Sequence, residues 1–246
     1  MGIKVFLDGA NVDDMLASVK AGLAAGFTTN PTLMRKSGVV DYEDFAKSVL
    51  GRIRDLPVSF EVFADDWPNM ALQARRIAAF GENVYVKIPV TNTAGESAAP
   101  LISELSAEGL KLNVTAIFTT EQVADVVAAL APGTPSVISV FAGRIADTGR
   151  DPMPIMRRSV EIAARNSVAE VLWASPREVL NIYQAEECGC HIITVPNDLL
   201  PKLALRNKDL GEYSRETVKM FYDDAVKSKF DLRASPAKAA AMAGHR

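Results

Sequence analysis

The sequence predicts a (β/α)₈ barrel, on three observations: the alternation of element types, the number of elements and the length of the chain. Short strand-like runs alternate with helix-length amphipathic segments, which is typical of parallel strands joined by right-handed crossovers. Eight such runs in 246 residues favour a closed barrel over an open doubly wound sheet. The sequence predicts strands at 3–8, 26–30, 58–63, 84–90, 111–118, 136–142, 170–175 and 191–196.

The segments between the strands carry helix signals. In TTEQVADVVAAL, apolar residues recur at helical spacing, and Thr119 with Gln122 predicts a capping box at the helix start. A last helix, predicted at about 211–228, has no strand after it. The sequence therefore predicts a single domain over 1–230 that includes this C-terminal helix, followed by a small, polar, frayed tail at 231–246.

Composition limits the possible functions. Hydrophobic residues make up 48% of the chain and charged residues 23%, and the net charge is −3, which is typical of a soluble globular protein. No basic stripe is present, so we expect no nucleic-acid partner. No run approaches the roughly 18 apolar residues of a membrane span, and we expect no secretory leader. These features together predict a cytoplasmic protein without a membrane partner.

The chain's two cysteines, Cys188 and Cys190, lie in ECGCH. They are too few and too close for a disulfide framework, which favours a reducing compartment. The motif offers three soft ligands in a row, but a structural zinc site needs a fourth, and the other histidine, His245, is near the C-terminus. The sequence favours small buried thiols at a helix-to-strand turn over a metal site.

Polar side chains gather near the C-terminal ends of the predicted strands. Residues two apart in a strand share a face, and parallel strands normally read as continuous apolar runs, so polar residues on one face need a reason. Catalytic groups of (β/α)₈ enzymes come from these strand ends, so the polar set predicts an active site. Its members are Asp8, Thr28, Asn30, Glu61, Lys87, Asn113, Thr115, Ser139 and Ser175.

Several of these residues also have a simpler structural interpretation. Asp8 could cap or precede the helix that follows it, and Asn30 stands before Pro31, a common turn pair. In SPRE, Ser175 could be a helix N-cap with Glu178 closing a capping box. Taken singly, none of these residues supports a function.

Glu61 and Lys87 are harder to explain by structure alone. Each stands between two apolar residues, and charged residues are almost never fully buried unless paired. The two could form a buried ion pair, although such pairs are costly and rarely justified by stability. Alternatively, apolar surroundings lower the pKa of a lysine and make it a Schiff-base nucleophile, with Asp8 and Glu61 as the carboxylates that move protons.

Two arginines follow strand ends, Arg144 in SVFAGRIAD and Arg177 in ASPRE. An arginine after the seventh strand lies where barrels often hold a phosphate, at a helix N-terminus whose amides favour anions. Glu178 in the same turn would repel a phosphate unless it points away. The sequence favours anion binding by both arginines over a solvated helix start.

Motifs at seven of the predicted strands resemble those of a known family. FLDGAN, GFTTNPTLM, FEVFA, VYVKIPVT, LNVTAIFT, SVFAGRI and ASPRE occur in this order, and TTNP with VKIPVT at this spacing is highly specific. The chain resembles class I transaldolases, especially the short form, and the related fructose-6-phosphate aldolases. The resemblance implies a Schiff-base enzyme for sugar phosphates without a metal or organic cofactor, and a homo-oligomer.

The resemblance also implies a role for each motif residue. Lys87 would form the Schiff base with a ketose phosphate, and Asp8 would take the C4 hydroxyl proton during cleavage. Glu61, with Thr115, would hold the water that relays protons near the imine. The substrate-binding residues would be Asn30, Asn113 and Ser139 for the dihydroxyacetone unit, Arg144, Ser175 and Arg177 for the phosphate, and Thr28 and Phe141 as further contacts.

Two positions bear on the type of reaction. The aldolase subgroup usually has Gln where this chain has Glu61 and Tyr where it has Phe141, so the resemblance favours transfer of dihydroxyacetone between sedoheptulose 7-phosphate and glyceraldehyde 3-phosphate. Gly9 and Pro176 depart from the family pattern beside substrate groups, which leaves the sugar open. The alternatives are an aldolase that releases dihydroxyacetone, a transaldolase for a modified sugar, and a sugar-phosphate binder without turnover.

Overall fold

The structure is a computed structural model that describes residues 2–166 and 168–229. The chain divides after Leu203 into two compact units, of which the second starts at Ala204. The grouping of the C-terminal helix with the barrel in one domain over 1–230 stays a prediction. The tail expected at 231–246 lies outside the described residues.

Eight parallel strands form a closed barrel in the first unit, which confirms the predicted fold. Each strand pairs with the next along the chain, and β1 pairs with β8 to close the sheet. Every predicted strand is present, with ends that differ by at most a few residues. The strands are β1 Lys4–Asp8, β2 Gly26–Thr28, β3 Val58–Glu61, β4 Val84–Pro89, β5 Leu112–Ile117, β6 Ser136–Val140, β7 Ala169–Trp173 and β8 Ile192–Pro196.

Helices connect successive strands of the barrel, as right-handed crossovers require. The predicted capping box at Thr119 and Gln122 is present at the start of α6. A 3₁₀ helix, Leu200–Leu205, follows β8. The helices of this unit are α1 Val12–Lys20, α2 Pro31–Lys36, α3 Tyr42–Leu50, α4 Trp67–Ala78, α5 Ala99–Ala107, α6 Thr120–Ala129, α7 Ala142–Asp147, α8 Met153–Ala163 and α9 Leu180–Glu187.

The described part of the second unit, which ends at Lys229, contains the long helix α10, Leu210–Ser228, which confirms the helix predicted at about 211–228. Asp209 caps its start, where the side chain accepts the backbone N–H of Glu212 at 2.8 Å. Several large apolar side chains of α10 are exposed, among them Val218 and Phe221.

The apolar core has two parts. The larger part fills the space between the sheet and the surrounding helices and includes Phe27, Phe60 and Trp173. The smaller part contains Phe6, Val137, Leu172, Ala174 and Ile192. Because Phe6 precedes Asp8 by two residues, and Val137 stands likewise before Ser139, this inner cluster forms an apolar floor beneath the polar strand ends.

The pairing register brings three predicted site residues side by side. Glu61 is opposite Lys87 across β3 and β4, and Lys87 is opposite Asn113 across β4 and β5. Backbone hydrogen bonds of the barrel fix this alignment. Across the described residues, no helix combines the length and the apolar character needed to cross a membrane.

Candidate active site

A polar cavity of about 620 Å³ opens at the C-terminal ends of the strands. This volume is in the range of small-molecule sites. Asn113 does not line the cavity, but the hydroxyl of Ser139 donates a hydrogen bond to its side chain. The other residues predicted for the site all line it: Asp8, Thr28, Asn30, Glu61, Lys87, Thr115, Ser139, Phe141, Arg144, Ser175 and Arg177.

Lys87 and Glu61 form an ion pair at the wall of this cavity. The Lys87 Nζ lies 3.0 Å from the Glu61 Oε2, and the two side chains are 9% and 22% exposed. The ammonium also donates to the carbonyl oxygen of Thr29 at 3.0 Å. The ion pair considered as a structural alternative is therefore present, and it faces the cavity. A buried amine beside a carboxylate and open space is suited to react with a carbonyl compound.

Tyr42 stabilises the end of β3 on which Glu61 stands. Its hydroxyl donates to the backbone carbonyl of Glu61 at 2.8 Å. Burial, together with the negative charge of Glu61, raises the pKa of the Tyr42 hydroxyl, so the phenol stays protonated and keeps its donor.

Asp8 belongs to a chain of hydrogen-bonded side chains at β1, β2 and β8. Thr28 donates from Oγ1 to the Asp8 Oδ1 at 2.8 Å, and the hydroxyls of Thr28 and Thr194 lie 2.5 Å apart. Burial raises the pKa of the Asp8 carboxyl, while the charge of Lys87 and the Thr28 hydrogen bond lower it in part. A carboxyl with a raised pKa is a better proton acceptor when ionised and a suitable acid when protonated.

Asn113 links two serines inside the barrel. Its Nδ2 donates to the Ser59 Oγ at 3.0 Å, and its Oδ1 accepts from the Ser139 Oγ at 2.6 Å. These bonds fix the orientation of the amide and of both hydroxyls. Together they form a buried polar layer next to Lys87, and Ser139 is the member of this layer that lines the cavity.

Thr115 lies at an irregularity of β5. The β5–β6 register shifts between Val114 and Ile117, and Ala116 has a φ of 60°, a strained conformation for a residue with a Cβ. The bulge brings both Thr115 and Ala116 into the cavity lining. The Oγ1 of Thr115 is buried and has no hydrogen-bond partner in the described part of the chain. Such an atom requires a partner, which a bound water or substrate would supply.

Asn30 caps a helix and also lines the cavity. Its side chain caps α2 by accepting the backbone N–H of Leu33 at 3.0 Å, and Pro31 occupies the first helical position. The turn interpretation of Asn30 is therefore correct, yet the residue also lines the cavity.

Ser175 does not begin a helix, so the capping-box interpretation of SPRE is wrong. Its φ is 59°, and α9 begins only at Leu180. The left-handed conformation brings the Ser175 carbonyl oxygen against Gly143, where an added Cβ would lie 1.5 Å from it. The glycine is thus required by this close approach. The chain therefore does not continue into a helix at Ser175, and the residue lines the cavity.

The two arginines stand on the exposed rim of the cavity. Arg177 does not lie in the first turn of a helix, and its backbone N–H donates to the Asn181 Oδ1 at 2.7 Å, so the expected helix-end anion site is absent there. The Arg177 guanidinium pairs with Asp147 through both carboxylate oxygens. The guanidinium carbon of Arg144 lies 5.2 Å from the centre of the Phe141 ring, within cation–π distance.

Among the polar residues of this region that sequence reasoning missed are Ser59, Thr194 and Lys36. Ser59 precedes Glu61 by two residues, and Thr194 is a polar residue in the apolar run IITVP, so the period-two rule alone could have identified both. Lys36 is at the end of α2 and lines the cavity. No strand pattern reaches it, because its position depends on how α2 lies against the barrel.

The cysteines are buried at the turn between α9 and β8, as expected of small core thiols. Burial raises the pKa of the Cys190 thiol to about 12, so a thiolate is disfavoured there. The Nδ1 of His191 accepts the backbone N–H of Val171 at 3.0 Å. Within 2–166 and 168–229, no group of three or more His, Cys, Asp or Glu side chains could hold a metal ion, and His245 lies outside these ranges.

The fold and the cavity define a (β/α)₈ protein with a buried lysine–carboxylate pair at the C-terminal ends of its strands. The chain belongs to the transaldolase/fructose-6-phosphate aldolase family, whose model matches residues 5–239. The family inferred from the sequence motifs is thereby confirmed.

Curated relatives support the same family. The chain is 36% identical over 202 residues to a probable transaldolase of Dehalococcoides mccartyi, an alignment that covers 82% of this chain and 90% of that protein. It is 39% identical over 202 residues to probable transaldolase 2 of Listeria monocytogenes, covering 82% and 88%. These relatives place the chain among aldolase- and transferase-type enzymes.

A solved structure with a similar fold is that of the putative copper homeostasis protein CutC from Streptococcus agalactiae. The TM-score is 0.58 at 14% identity, and the match covers 78% of this chain and 97% of that one. At this identity the similarity concerns the barrel alone and carries nothing about function.

Proposed function

We propose that the protein is a transaldolase that carries a dihydroxyacetone unit on Lys87 as a Schiff base. The observation that carries this proposal is the Lys87 amine, buried at the cavity wall and 3.0 Å from the Glu61 carboxylate. A site that only binds sugar phosphates needs no buried amine, and the relatives are named probable transaldolases. Turnover is therefore a better explanation of the pair than binding alone.

The proposed reaction begins when Lys87 passes a proton to Glu61 and the resulting neutral amine attacks the C2 carbonyl of a ketose phosphate. Loss of water gives an iminium, which withdraws the electron pair of the C3–C4 bond as that bond breaks. Asp8 accepts the C4 hydroxyl proton, and the aldehyde phosphate leaves. The enamine that remains then attacks the carbonyl of an acceptor aldehyde phosphate, and Asp8 returns its proton to the new C4 oxygen. Hydrolysis of the new iminium restores the Lys87 amine.

Proton movement at the nitrogen is assigned to Glu61 and Thr115. The carboxylate of Glu61 is next to the amine, and the unpartnered Thr115 hydroxyl is suited to hold a water. Such a water could pass protons between the carbinolamine and Glu61. The raised pKa of Asp8 supports its part as the base, because this carboxylate has a higher proton affinity than an exposed one.

Substrate binding is assigned to two sets of residues. The hydrogen-bonded Asn113 and Ser139, with Asn30, would hold the hydroxyls of the dihydroxyacetone unit. Arg144, Ser175 and Arg177 at the rim would hold the phosphate, and Thr28 and Phe141 would complete the wall; all five line the cavity.

Transfer is favoured over release of dihydroxyacetone because Glu61 can exchange protons and Phe141 has no hydroxyl. The proposed reaction converts sedoheptulose 7-phosphate and glyceraldehyde 3-phosphate into erythrose 4-phosphate and fructose 6-phosphate, as in the pentose phosphate pathway. A fructose-6-phosphate aldolase activity is the second candidate, since the family includes both. Because Gly9 and Pro176 depart from the family pattern, a transaldolase that acts on a modified sugar is a variant of the first candidate.

We further propose a homo-oligomer in the cytoplasm. The exposed apolar side chains of α10, such as Val218 and Phe221, support self-association, because large apolar surfaces are usually covered by a partner. Free cysteines fit a reducing compartment. Light scattering on a sizing column tests the first part, and a monomeric mass at micromolar concentration would contradict it.

The main experiment traps the imine. Fructose 6-phosphate and sodium borohydride should leave a reduced three-carbon adduct on Lys87, identified by peptide mass spectrometry. Lys87→Met should lose the adduct, while Lys111→Met, which removes a half-buried lysine just before β5, should keep it. Assays with and without an acceptor aldehyde then separate the candidates: acceptor-independent turnover would favour the aldolase. Tight binding of the sugar phosphate without a trappable adduct would favour a binder.

A further inference from the structure

Lys36 is a positively charged residue of the cavity wall for which the proposed reaction has no role. It is the last residue of α2, Pro31–Lys36, and its side chain is exposed. It lines the same cavity as Lys87, together with Asn30 and Leu33 from the start of that helix. An exposed cation at the entrance of a polar cavity can act on a charged ligand before and after binding.

The other cations that line the cavity each have a charge or ring beside them. Lys87 pairs with Glu61, and Arg177 pairs with Asp147. Arg144 lies over the Phe141 ring.

The main interaction partner of Asp147 is Arg177. The hydrogen bonds from Arg177 and, to a smaller extent, the charge of Arg144 lower the pKa of the Asp147 carboxyl. The positive charge of Arg177 is therefore largely offset by its partner, and that of Arg144 is offset in part.

Lys36 differs from these three cations. Within 2–166 and 168–229, its ammonium forms neither an ion pair nor a hydrogen bond with another side chain. The uncompensated positive charge of the cavity is thus concentrated on Lys36 and Arg144. A dianionic group entering the cavity would be attracted to both.

Helix stability is a competing explanation for a lysine at this position. Cations in the last turn of a helix interact favourably with its carbonyl end, and α2 ends with both Arg35 and Lys36. Arg35 faces a different groove, which is lined by Met34, Val40 and Tyr42 and does not include Lys36. Both residues can therefore interact with the carbonyl end of the helix, but of the two only Lys36 lines the cavity. This pair supplies a matched control.

We propose that Lys36 is a specificity-determining residue that binds the terminal phosphate of the substrate together with Arg144. Arg177 contributes less to this binding, because its charge is paired with Asp147. The inference rests on the proposed function. An ammonium group has three donors on a flexible four-carbon stem. Such a stem suits a phosphate whose position changes by one carbon between a six-carbon and a seven-carbon ketose, which a rigid clamp would accommodate less well.

The test compares phosphorylated and unphosphorylated acceptors at saturating fructose 6-phosphate. Lys36→Met should raise the KM for erythrose 4-phosphate about three- to tenfold, as expected of an exposed charge contact, and leave the KM for erythrose unchanged. Inorganic phosphate should inhibit the variant correspondingly less. Arg35→Met should change neither KM, and Lys36→Arg should restore most of the preference because it restores the charge.

Two outcomes would overturn the assignment. One is an equal change of KM for both acceptors in Lys36→Met, and the other is a change of the same size in Arg35→Met. Thermal unfolding and the borohydride adduct on Lys87 show whether the variants are folded and competent. If the wild-type protein gives no adduct, the proposed function itself fails; if it gives the adduct but Lys36→Met keeps the phosphate preference, only the role of Lys36 fails.

Discussion

The inner wall of the cavity and its rim hold their polar groups in different ways. At the inner wall, Lys87 and Ser139 are buried, and neighbouring strands supply their partners Glu61 and Asn113. At the rim, Arg144 and other cations are exposed and stand on helices or loops beyond the strand ends. The contrast indicates that the barrel register fixes the reacting groups, while recognition of the distal part of the substrate depends on elements outside the sheet.

Glu61→Gln, a substitution at the inner wall, should cause the largest loss of activity. The amide keeps the shape of the side chain but cannot exchange a proton, so transfer turnover should fall about 10²- to 10⁴-fold. The borohydride adduct on Lys87 should still form, because the amine remains, but more slowly, because the carbinolamine loses its proton-transfer partner. A stopped assay of erythrose 4-phosphate formation measures the change. Glu82→Gln, an exposed substitution before β4, is the control, and full turnover of Glu61→Gln would remove Glu61 from the proton path.

Arg144→Met should affect binding at the rim and leave the chemical step intact. The KM for fructose 6-phosphate should rise about tenfold, within the range expected for a charge-assisted contact, with kcat nearly unchanged. Steady-state kinetics at varied donor concentration measures both constants. Arg165→Met, an exposed arginine in the turn after α8, is the control. A large fall in kcat at an unchanged KM would mean that Arg144 acts in the reaction, and the contrast between wall and rim would not hold.

The same contrast explains what the sequence could predict. The strands and most of the inner wall follow from period-two patterning, which also identifies Ser59 and Thr194 once it is applied to every strand. The rim does not follow from it. The conformation of Ser175 depends on its packing against Gly143, and the Arg177–Asp147 pair joins residues 30 positions apart. These are tertiary contacts, which local sequence signals cannot encode.

Asp8→Asn should make the protein more stable at neutral pH while removing its base. Because burial raises the pKa of Asp8, the folded state binds this proton more tightly than the unfolded chain does, and stability falls as pH rises through the interval between the two pKa values. The wild-type protein therefore bears the cost of a buried charge at pH 7, which the amide avoids.

The difference between Asp8→Asn and wild type should shrink on acidification, once Asp8 is protonated in the folded state. Thermal unfolding of both proteins from pH 4 to pH 8 measures it. Asp125→Asn, an exposed substitution on α6, should leave the pH dependence unchanged. A variant less stable than wild type at pH 7 would mean that the charge of Lys87 and the Thr28 hydrogen bond outweigh the burial of Asp8.

Tyr42→Phe should give the smallest effect, because it acts on the inner wall through the backbone. The change removes the hydroxyl that donates to the Glu61 carbonyl at 2.8 Å and keeps the ring that packs near Phe60. Loss of one such bond should lower the free energy of unfolding by about 1 kcal/mol, measured by urea denaturation. Turnover should fall only a few fold, since the Glu61 carboxylate stays on β3 by its pairing with β4. If turnover instead fell as far as in Glu61→Gln, the strand register alone would not position Glu61. The hydrogen bond from Tyr42 on α3 would then be required to position Glu61 for the reaction.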